Sequence, residues 1–278
     1  MKGVLYIVST PIGNLQDITL RALNTLKEVD VIAAEDTRHS SKLLNHYGIT
    51  TPMISYWGEK EKVKSKEVLK RLNEGLSVAL ISDAGTPGVS DPGEVLIREA
   101  LTQGIEIVPI PGATSLITAL SVSGLSTKRY FFAGFLSSRQ TQRIKELTEL
   151  KGLVFTVVFY ESPHRIIDFL YDLLEVFGNR RIALCHEMTK MHEEVIRGSV
   201  QEVIDKMERG KIAGEYVVIA ESAPAPEFSM EDALREVDEL IKAGSRRKDA
   251  VMEVATAMGI DNKQLYKESL QRDSECSN

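Results

Sequence analysis

Four times in its first 125 residues the chain repeats one unit: a short apolar run, a loop rich in Gly, Pro or acid, then a stretch with helical periodicity. Leu5 to Val8 leads into Ser9-Thr10-Pro11-Ile12-Gly13-Asn14, and Ile18, Ala22, Leu23, Leu26 and Val29 form the apolar face of the helix that follows. Val29 to Ala34 leads into Glu35-Asp36-Thr37-Arg38 and a helix reaching Gly48. Val78 to Ile81 leads into SDAGTPGVSDPG (82–93) and a helix from about Glu94 to Gln103. Ile105 to Ile110 leads into Pro111-Gly112-Ala113-Thr114 and an apolar helix ending near Val122. Continuous apolar strands alternating with helices predict a parallel sheet covered on both faces. Every βα loop of such a sheet emerges at the carboxyl ends of the strands, where ligands bind. The four loops therefore converge on one rim.

The pattern changes after Gly124. Residues 126–130 read as a linker, and Phe131 to Phe135, Leu153 to Tyr160, Ile182 to His186, Val195 to Arg197 and Tyr216 to Ala220 as strands. Helices are expected over Ile166 to Phe177 and Val200 to Met207, which makes a second α/β domain with a mixed sheet. Ala223-Pro224-Ala225-Pro226 is a stiff linker to a helical module, with helices near 230–242, 246–258 and 262–270. The predicted organisation is a first α/β domain at 1–125, a second at 126–223 and a helical module at 229–278. The turn from Ala255 to Gly259 gives that module a helix-turn-helix look, although three-helix caps without a nucleic-acid role are common.

At 278 residues, 43% hydrophobic and 27% charged, the chain can bury ordinary cores without staples. Two cysteines, Cys185 and Cys276, provide neither a disulfide framework nor a zinc quartet, which fits a reducing cytoplasm. The apolar run at Val4 is too short for a membrane span and reads as a strand, so no membrane partner is expected. A net charge of −6 argues mildly against a polyanionic partner. Basic residues nevertheless cluster at Arg38 with Lys42, at Lys60, Lys62, Lys64 and Lys66, at Arg139 with Arg143, and at Arg246-Arg247-Lys248, all readable as solvated faces.

In the loop at 82–93, Gly85, Gly88 and Gly93 allow close backbone approach to a ligand, and Pro87 and Pro92 stiffen it. Asp83 stands directly after a strand, placed to accept hydrogen bonds from ribose hydroxyls or an ammonium. Dinucleotide and P-loop fingerprints are both missing, and the loop is not basic. A ligand with adenosine and amino-acid parts suits the rim better than a triphosphate. Glu35-Asp36-Thr37-Arg38 offers carboxylates and a guanidinium, with Asp36 or Thr37 equally readable as a helix cap. Glu161, His164 and Arg165 occupy a strand-to-helix turn, again open to a capping role. His186 and His192 are six apart, wrong for one helical face, so no metal site is expected.

Read in order, STPIGNLQDIT (9–19), AEDTRHSSKLL (34–44), LISDAGTPGVSDPG (80–93), PIPGATSLITALSVSGL (109–125), FYESPHRI (159–166) and TKMHEEVIRGS (189–199) resemble the tetrapyrrole methylase superfamily. Within it, the first loop Thr10-Pro11-Ile12-Gly13-Asn14 is similar to that of the RNA-methylating branch rather than to the Gly-Pro-Gly-Asp-Pro-like loop of siroheme and cobalamin methylases. The resemblance implies two α/β domains of tetrapyrrole methylase type plus a small helical module, usually as a homodimer. It also implies methyl transfer from S-adenosylmethionine to the ribose 2′-hydroxyl of a cytidine in the decoding region of 16S ribosomal RNA, either as RNA or in an assembled 30S subunit. By position, the implied cofactor contacts are Pro11, Asp83, Gly85, Thr86, Pro87, Gly88, Val89, Ser90, Pro111, Gly112, Ala113 and Thr114. From the second domain come Phe135, Leu136, Tyr160, Ser162, Gly214, Glu215, Tyr216 and Val217.

A 2′-hydroxyl is a poor nucleophile until its proton is removed or held, so a general base is expected. Glu161 is the first candidate, with Asp36 and Lys190 behind it. Arg38, Arg165, Arg246, Arg247 and Lys248 are the candidates for contact with RNA. Two other functions share these features: methylation of a tetrapyrrole, and non-catalytic binding to the ribosome.

Overall fold

Apolar runs become strands where both faces are covered. The computed structural model describes residues 2–56, 61–210, 212–224 and 229–276. Lys60 of the second basic cluster and Ala225-Pro226 of the linker lie outside the described residues, as do the side chains of Lys62 and Cys276. The chain divides into two compact units, Met1–Ala223 and Pro224–Asn278.

The first unit holds two sheets. Strands β1 (Val4–Val8), β2 (Val31–Ala34), β3 (Met53–Ser55), β4 (Val78–Ile81) and β5 (Glu106–Ile110) form an all-parallel sheet in the order β3-β2-β4-β1-β5. Alternate side chains serve opposite faces. Leu5 and Leu80 pack with α3 (Glu61–Asn73) and α4 (Glu94–Thr102), whereas Val8, Ile32 and Ile81 pack with α1 (Leu20–Glu28) and α2 (Thr37–His46). The expected parallel sheet is present, with β3 and α3 added between Gly48 and Val78.

The second sheet is mixed. It comprises β6 (Tyr130–Phe135), β7 (Thr156–Glu161), β8 (Arg181–His186), β9 (Glu194–Ser199) and β10 (Tyr216–Ala220), ordered β6-β7-β10-β8-β9. Only β6 and β7 run parallel; the other neighbours are antiparallel. One face is covered by α6 (Gln140–Leu150), α7 (Ile166–Phe177) and α8 (Val200–Glu208). Sequence periodicity did not reveal α6, and the reading of Arg143 as a solvated charge is corrected. Its guanidinium is buried and meets Asp172 of α7 at 2.5 Å. A buried arginine needs such a partner, because an isolated charge is costly to desolvate.

The other face of the second sheet is covered by α5 (Ser115–Ser123), the helix that follows the last strand of the first sheet. Leu116, Ala119 and Leu120 share a buried cluster with Val158, Ala183, Cys185, Val217 and Ile219. The start of α5 is fixed by Tyr160 of β7, whose hydroxyl accepts from Leu116 N at 3.1 Å and from Ser115 Oγ at 2.8 Å. That contact meets one of the amide groups that a helix start leaves without a partner. The two sheets are thus joined by a shared core, with the loops at 82–93 and 111–114 facing the second sheet.

The second unit is a three-helix cluster of α9 (Met230–Lys242), α10 (Arg247–Met258) and α11 (Asn262–Cys276), the last longer than periodicity suggested. Ala233, Val237, Ala250, Val254 and Leu265 form its core. Among the described residues, no helix is long and apolar enough to cross a membrane.

Replacing Tyr160 with Phe removes the acceptor for Leu116 N while keeping the ring. The expected cost is about 1–3 kcal/mol, read as a lower denaturant midpoint with an unchanged m-value.

Candidate active site

The floor of the cleft is built from main chain. Thr10, just after β1, and Gly85, just after β4, exchange backbone hydrogen bonds of 2.8 Å and 3.1 Å. The hydroxyls of Ser9 and Thr86 lie 2.8 Å apart beside this bridge. Gly112 completes the seam, because a Cβ there would stand 2.8 Å from the Ser9 Cβ, closer than such atoms approach. Only glycine lets the loop after β5 lie this near β1.

Above the floor is a cavity of about 250 Å³ between the two sheets. From the first sheet it is lined by Asp83, Gly85, Thr86, Val89, Ser90 and Thr114. The second sheet contributes Phe135, Tyr160, Glu215, Tyr216 and Val217. Each of these was expected from sequence. Pro11, Pro87, Gly88, Pro111, Gly112, Ala113, Leu136, Ser162 and Gly214 do not line the cavity. Several of them hold the wall from behind: Pro11 and Pro87 are buried, and Leu136 gives its carbonyl to Arg165.

Sequence reasoning named Glu35 only as one carboxylate of a loop, without a role, and missed Ile12, Asp91, Glu187 and Met188; all five line the cavity. Glu35 and Asp83 are locked together, since Glu35 Oε2 accepts from Asp83 N and Asp83 Oδ1 accepts from Asp36 N, both at 3.1 Å. Burial pushes the Glu35 carboxyl above its ordinary range. Burial, and then the negative charge of Glu35, push the Asp91 carboxyl up to about 7. The signal for Asp91 was its place in a long, glycine-rich loop after a strand, where an acid does more than turn the chain.

The connection from β8 to β9 closes over the loop after β1. Thr189 Oγ1 accepts from Asn14 N at 3.1 Å, and a Cβ at Gly13 would meet Lys190 Cγ at 2.5 Å. Lys190 Nζ donates to Glu187 Oε1 at 2.7 Å, so this lysine lines the cavity as half of an ion pair. Glu187 and Thr189 both hold left-handed backbone (φ 48° and 65°). Residues other than glycine adopt it at a cost, and such strain is concentrated at functional sites.

Two catalytic expectations are corrected. Glu161 is fully buried, its Oε1 and Oε2 accept from Arg165 at 2.7 and 2.8 Å, and its Oε1 also accepts from Ser162 N at 2.7 Å. It does not line the cavity, and full burial beneath Arg165 keeps its oxygens out of a substrate's reach. Asp36 caps α2 through Arg38 N and pairs with the Arg38 side chain, whose hydrogen bonds hold its carboxyl down at about 2. A carboxylate so stabilised is a poor base, and it too lies outside the cavity lining. Lys190 is the one expected catalytic residue that lines the cavity.

The RNA-contact candidates divide in the same way. Arg38 is exposed at the start of α2, despite its pairing with Asp36. Arg165 is consumed by Glu161 and the Leu136 carbonyl, and is withdrawn as a phosphate contact. In the helical unit Arg246 and Lys248 are exposed, while Arg247 donates to the Ser269 carbonyl of α11. No cluster of three or more His, Cys, Asp or Glu positioned for a metal ion occurs among the described residues.

Residues 4–204 match the family described as Tetrapyrrole (Corrin/Porphyrin) Methylases. The chain is 44% identical over 271 residues to ribosomal RNA small subunit methyltransferase I of Halalkalibacterium halodurans, covering 95% of this chain and 94% of that one. It is 44% identical over 277 residues to the protein of the same name from Synechocystis, covering 98% and 99%. Among solved structures, cobalt precorrin-4 methyltransferase is similar with a TM-score of 0.60 at 21% identity, covering 78% of this chain and 94% of that one. Uroporphyrin-III C-methyl transferase from Thermus thermophilus, complexed with S-adenyl homocysteine, is similar with a TM-score of 0.59 at 19% identity, covering 79% and 97%. These last two likenesses establish the fold.

Glu161→Ala is expected to strand the Arg165 guanidinium and cost up to about 3 kcal/mol. Thermal melting would show this as a lower Tm, and Glu161→Gln, which keeps part of the hydrogen bonding, would lose less.

Proposed function

The chain belongs to the tetrapyrrole (corrin/porphyrin) methylase family, and from that premise we propose that it methylates small-subunit ribosomal RNA with S-adenosylmethionine as donor. The acceptor in this reading is the ribose 2′-hydroxyl of a cytidine in the decoding region of 16S RNA. Near-full-length identity of 44% to two proteins named ribosomal RNA small subunit methyltransferase I carries the proposal. The first loop, Thr10-Pro11-Ile12-Gly13-Asn14, supports RNA over a tetrapyrrole as acceptor.

The cavity suits the donor. Asp83, Glu35 and Asp91 offer carboxylates for a sulfonium, an ammonium or ribose hydroxyls, and Ile12, Phe135 and Val217 offer apolar surface for a base. Glycine at 112 keeps open a seam that any side chain would fill. When bound, S-adenosylmethionine supplies a methyl group already activated by its sulfonium. The task left to the protein is alignment of donor and acceptor, worth far more than any single contact. The seam of Thr10, Gly85 and Gly112 provides a rigid seat for this, and Phe135 and Tyr160 exclude water from the second-sheet side.

Lys190 takes the catalytic role in the proposal. Its ammonium, aimed by Glu187, holds the acceptor ribose or the phosphate beside it at the mouth of the cleft, and the hydroxyl proton leaves to solvent water as the oxygen is methylated. Arg38, Arg246 and Lys248 provide exposed cations for the RNA backbone, whose contacts fix register more than sequence. The chain is taken to act as a homodimer in the cytoplasm, on 16S RNA or on the 30S subunit. Tyr130, Phe131 and Val154 are exposed apolar side chains at or beside the edge strand β6, which supports a second copy there.

Mapping ribose methylation in small-subunit RNA with and without the protein tests the activity, with a porphyrinoid as the competing acceptor. One new 2′-O-methyl cytidine in the decoding region is the expected result; methyl transfer to the porphyrinoid alone would reverse the assignment. Lys190→Met is expected to lower turnover by about 100-fold or more while calorimetry shows donor affinity changed little. Equal loss of both would make Lys190 a donor-binding residue instead.

A further inference from the structure

Asp91 stands apart from the other acids of the cleft. It follows Ser90, whose backbone is left-handed (φ 62°), a conformation that non-glycine residues seldom adopt outside functional sites. Ser90 Oγ also lies 3.2 Å from where a Cβ of Gly134 on β6 would be, so this part of the loop reaches the second sheet. Asp91 itself lines the cavity and is half-buried.

Its surroundings are strongly one-sided. Glu35 at the end of β2, Asp83 at the end of β4 and Glu215 before β10 line the same cavity and bear on Asp91 with like charge. Tyr160 of β7 feels the Asp91 charge in turn. The Ser82 hydroxyl hydrogen-bonds to Asp91 and favours its ionised form, but burial and the neighbouring acids outweigh it. His39 bears on Glu35 rather than on Asp91. The only cation lining the cavity among the described residues, Lys190, is held by Glu187 at 2.7 Å. A half-buried carboxylate facing three others and no free cation keeps its proton near neutral pH, because ionising it adds a like charge where water screens poorly. A positively charged ligand reverses that preference; an uncharged one of the same shape does not.

We propose that Asp91 is a specificity-determining residue that favours the positively charged methyl donor over its uncharged product, by giving up a proton when a sulfonium enters the cleft and retaking one when a thioether is left there. The proposal rests on the reading of S-adenosylmethionine as the donor. Charge balances at each stage. Binding the cation to protonated Asp91 releases one proton to solvent and leaves a carboxylate facing the sulfonium. After transfer the sulfur carries no charge, and protonation of Asp91 restores the starting state. The cleft then holds its product less tightly than its donor, although the two differ by one methyl group.

Isothermal titration calorimetry of the full chain with S-adenosylmethionine and S-adenosylhomocysteine, at pH 6 and pH 8, tests this directly. The donor's affinity is expected to rise about tenfold over that interval relative to the product's, since ionisation of one group with a midpoint near 7 is removed from the binding cost. Titration in buffers of different ionisation enthalpy should show proton release with the donor and none of comparable size with the product. Asp91→Asn should abolish the change in the affinity ratio, and comparison with this variant cancels the titration of the ligands' own amino groups. Glu35→Gln should keep the change but move it to lower pH.

Ligand-free melting provides a check independent of binding. The folded protein holds the Asp91 proton more tightly than the unfolded chain does, so wild type loses stability relative to Asp91→Asn as pH rises from about 4 to about 7. An affinity ratio with the same pH dependence in wild type and Asp91→Asn would overturn the proposal, as would equal proton release with both ligands. Binding of neither ligand to wild type would instead overturn the reading of the cleft as a donor site, and the proposal with it.

Discussion

Helix α5 is covalently the end of the first sheet and energetically part of the second. Leu116, Ala119 and Leu120 are buried against Val158, Ala183 and Ile219, and the Tyr160 hydroxyl pins the first turn of the helix. Moving the sheets apart would expose that apolar surface to water at about 25 cal/mol per Å². The loop at 111–114 is therefore held between β5 and a helix that the opposite sheet keeps in place. The cleft takes its width from this joint, and the orientation of the lining residues on both sides follows from it.

Charged groups of the first unit fall into two kinds. Glu161 with Arg165, Asp36 with Arg38, and Arg143 with Asp172 satisfy one another and are chemically spent. Glu35, Asp83 and Asp91 line an open volume with no cation paired to them among the described residues, and Asp91 keeps its proton there rather than add a further like charge. Structural ion pairs lower the reactivity of their members, whereas frustrated acids store electrostatic free energy that a cation of the right shape can release. The second kind is what a site for a positively charged ligand requires.

Much of this was legible in the sequence. The runs at Val31 and Val78 are buried along their whole length, which continuous apolar composition anticipates for parallel strands, and the loops rich in Gly, Pro or acid after such runs could only meet at one rim. The strand Met53–Ser55 escaped notice because three residues carry no periodicity. Helix α6 escaped because its basic residues suggested a solvated face, although Arg143 turns inward to Asp172. Charge-bearing motifs misled for a related reason. Glu161 and Arg165 are four apart across a strand-to-helix turn, close enough to satisfy each other, and spacing alone does not say whether a pair faces inward or a ligand. Asp91 was hidden in plain view as one more polar residue of a turn, since its distinction comes from acids just after β2 and just before β10 that only the fold brings near.

The bridge between Thr10 and Gly85 is made of backbone atoms alone, an antiparallel link set across the carboxyl ends of a parallel sheet. Main-chain hydrogen bonds are indifferent to side-chain identity. The seat they form can persist while the residues around it drift, as long as the few close approaches, such as Gly112 on Ser9, remain open. Evolution can then exchange the side chains around the cleft separately from the backbone seat itself. That separation gives a molecular reason why one architecture, shared here at 21% identity or less with methylases of corrin and porphyrin type, can support acceptors as unlike as a macrocycle and a nucleic acid.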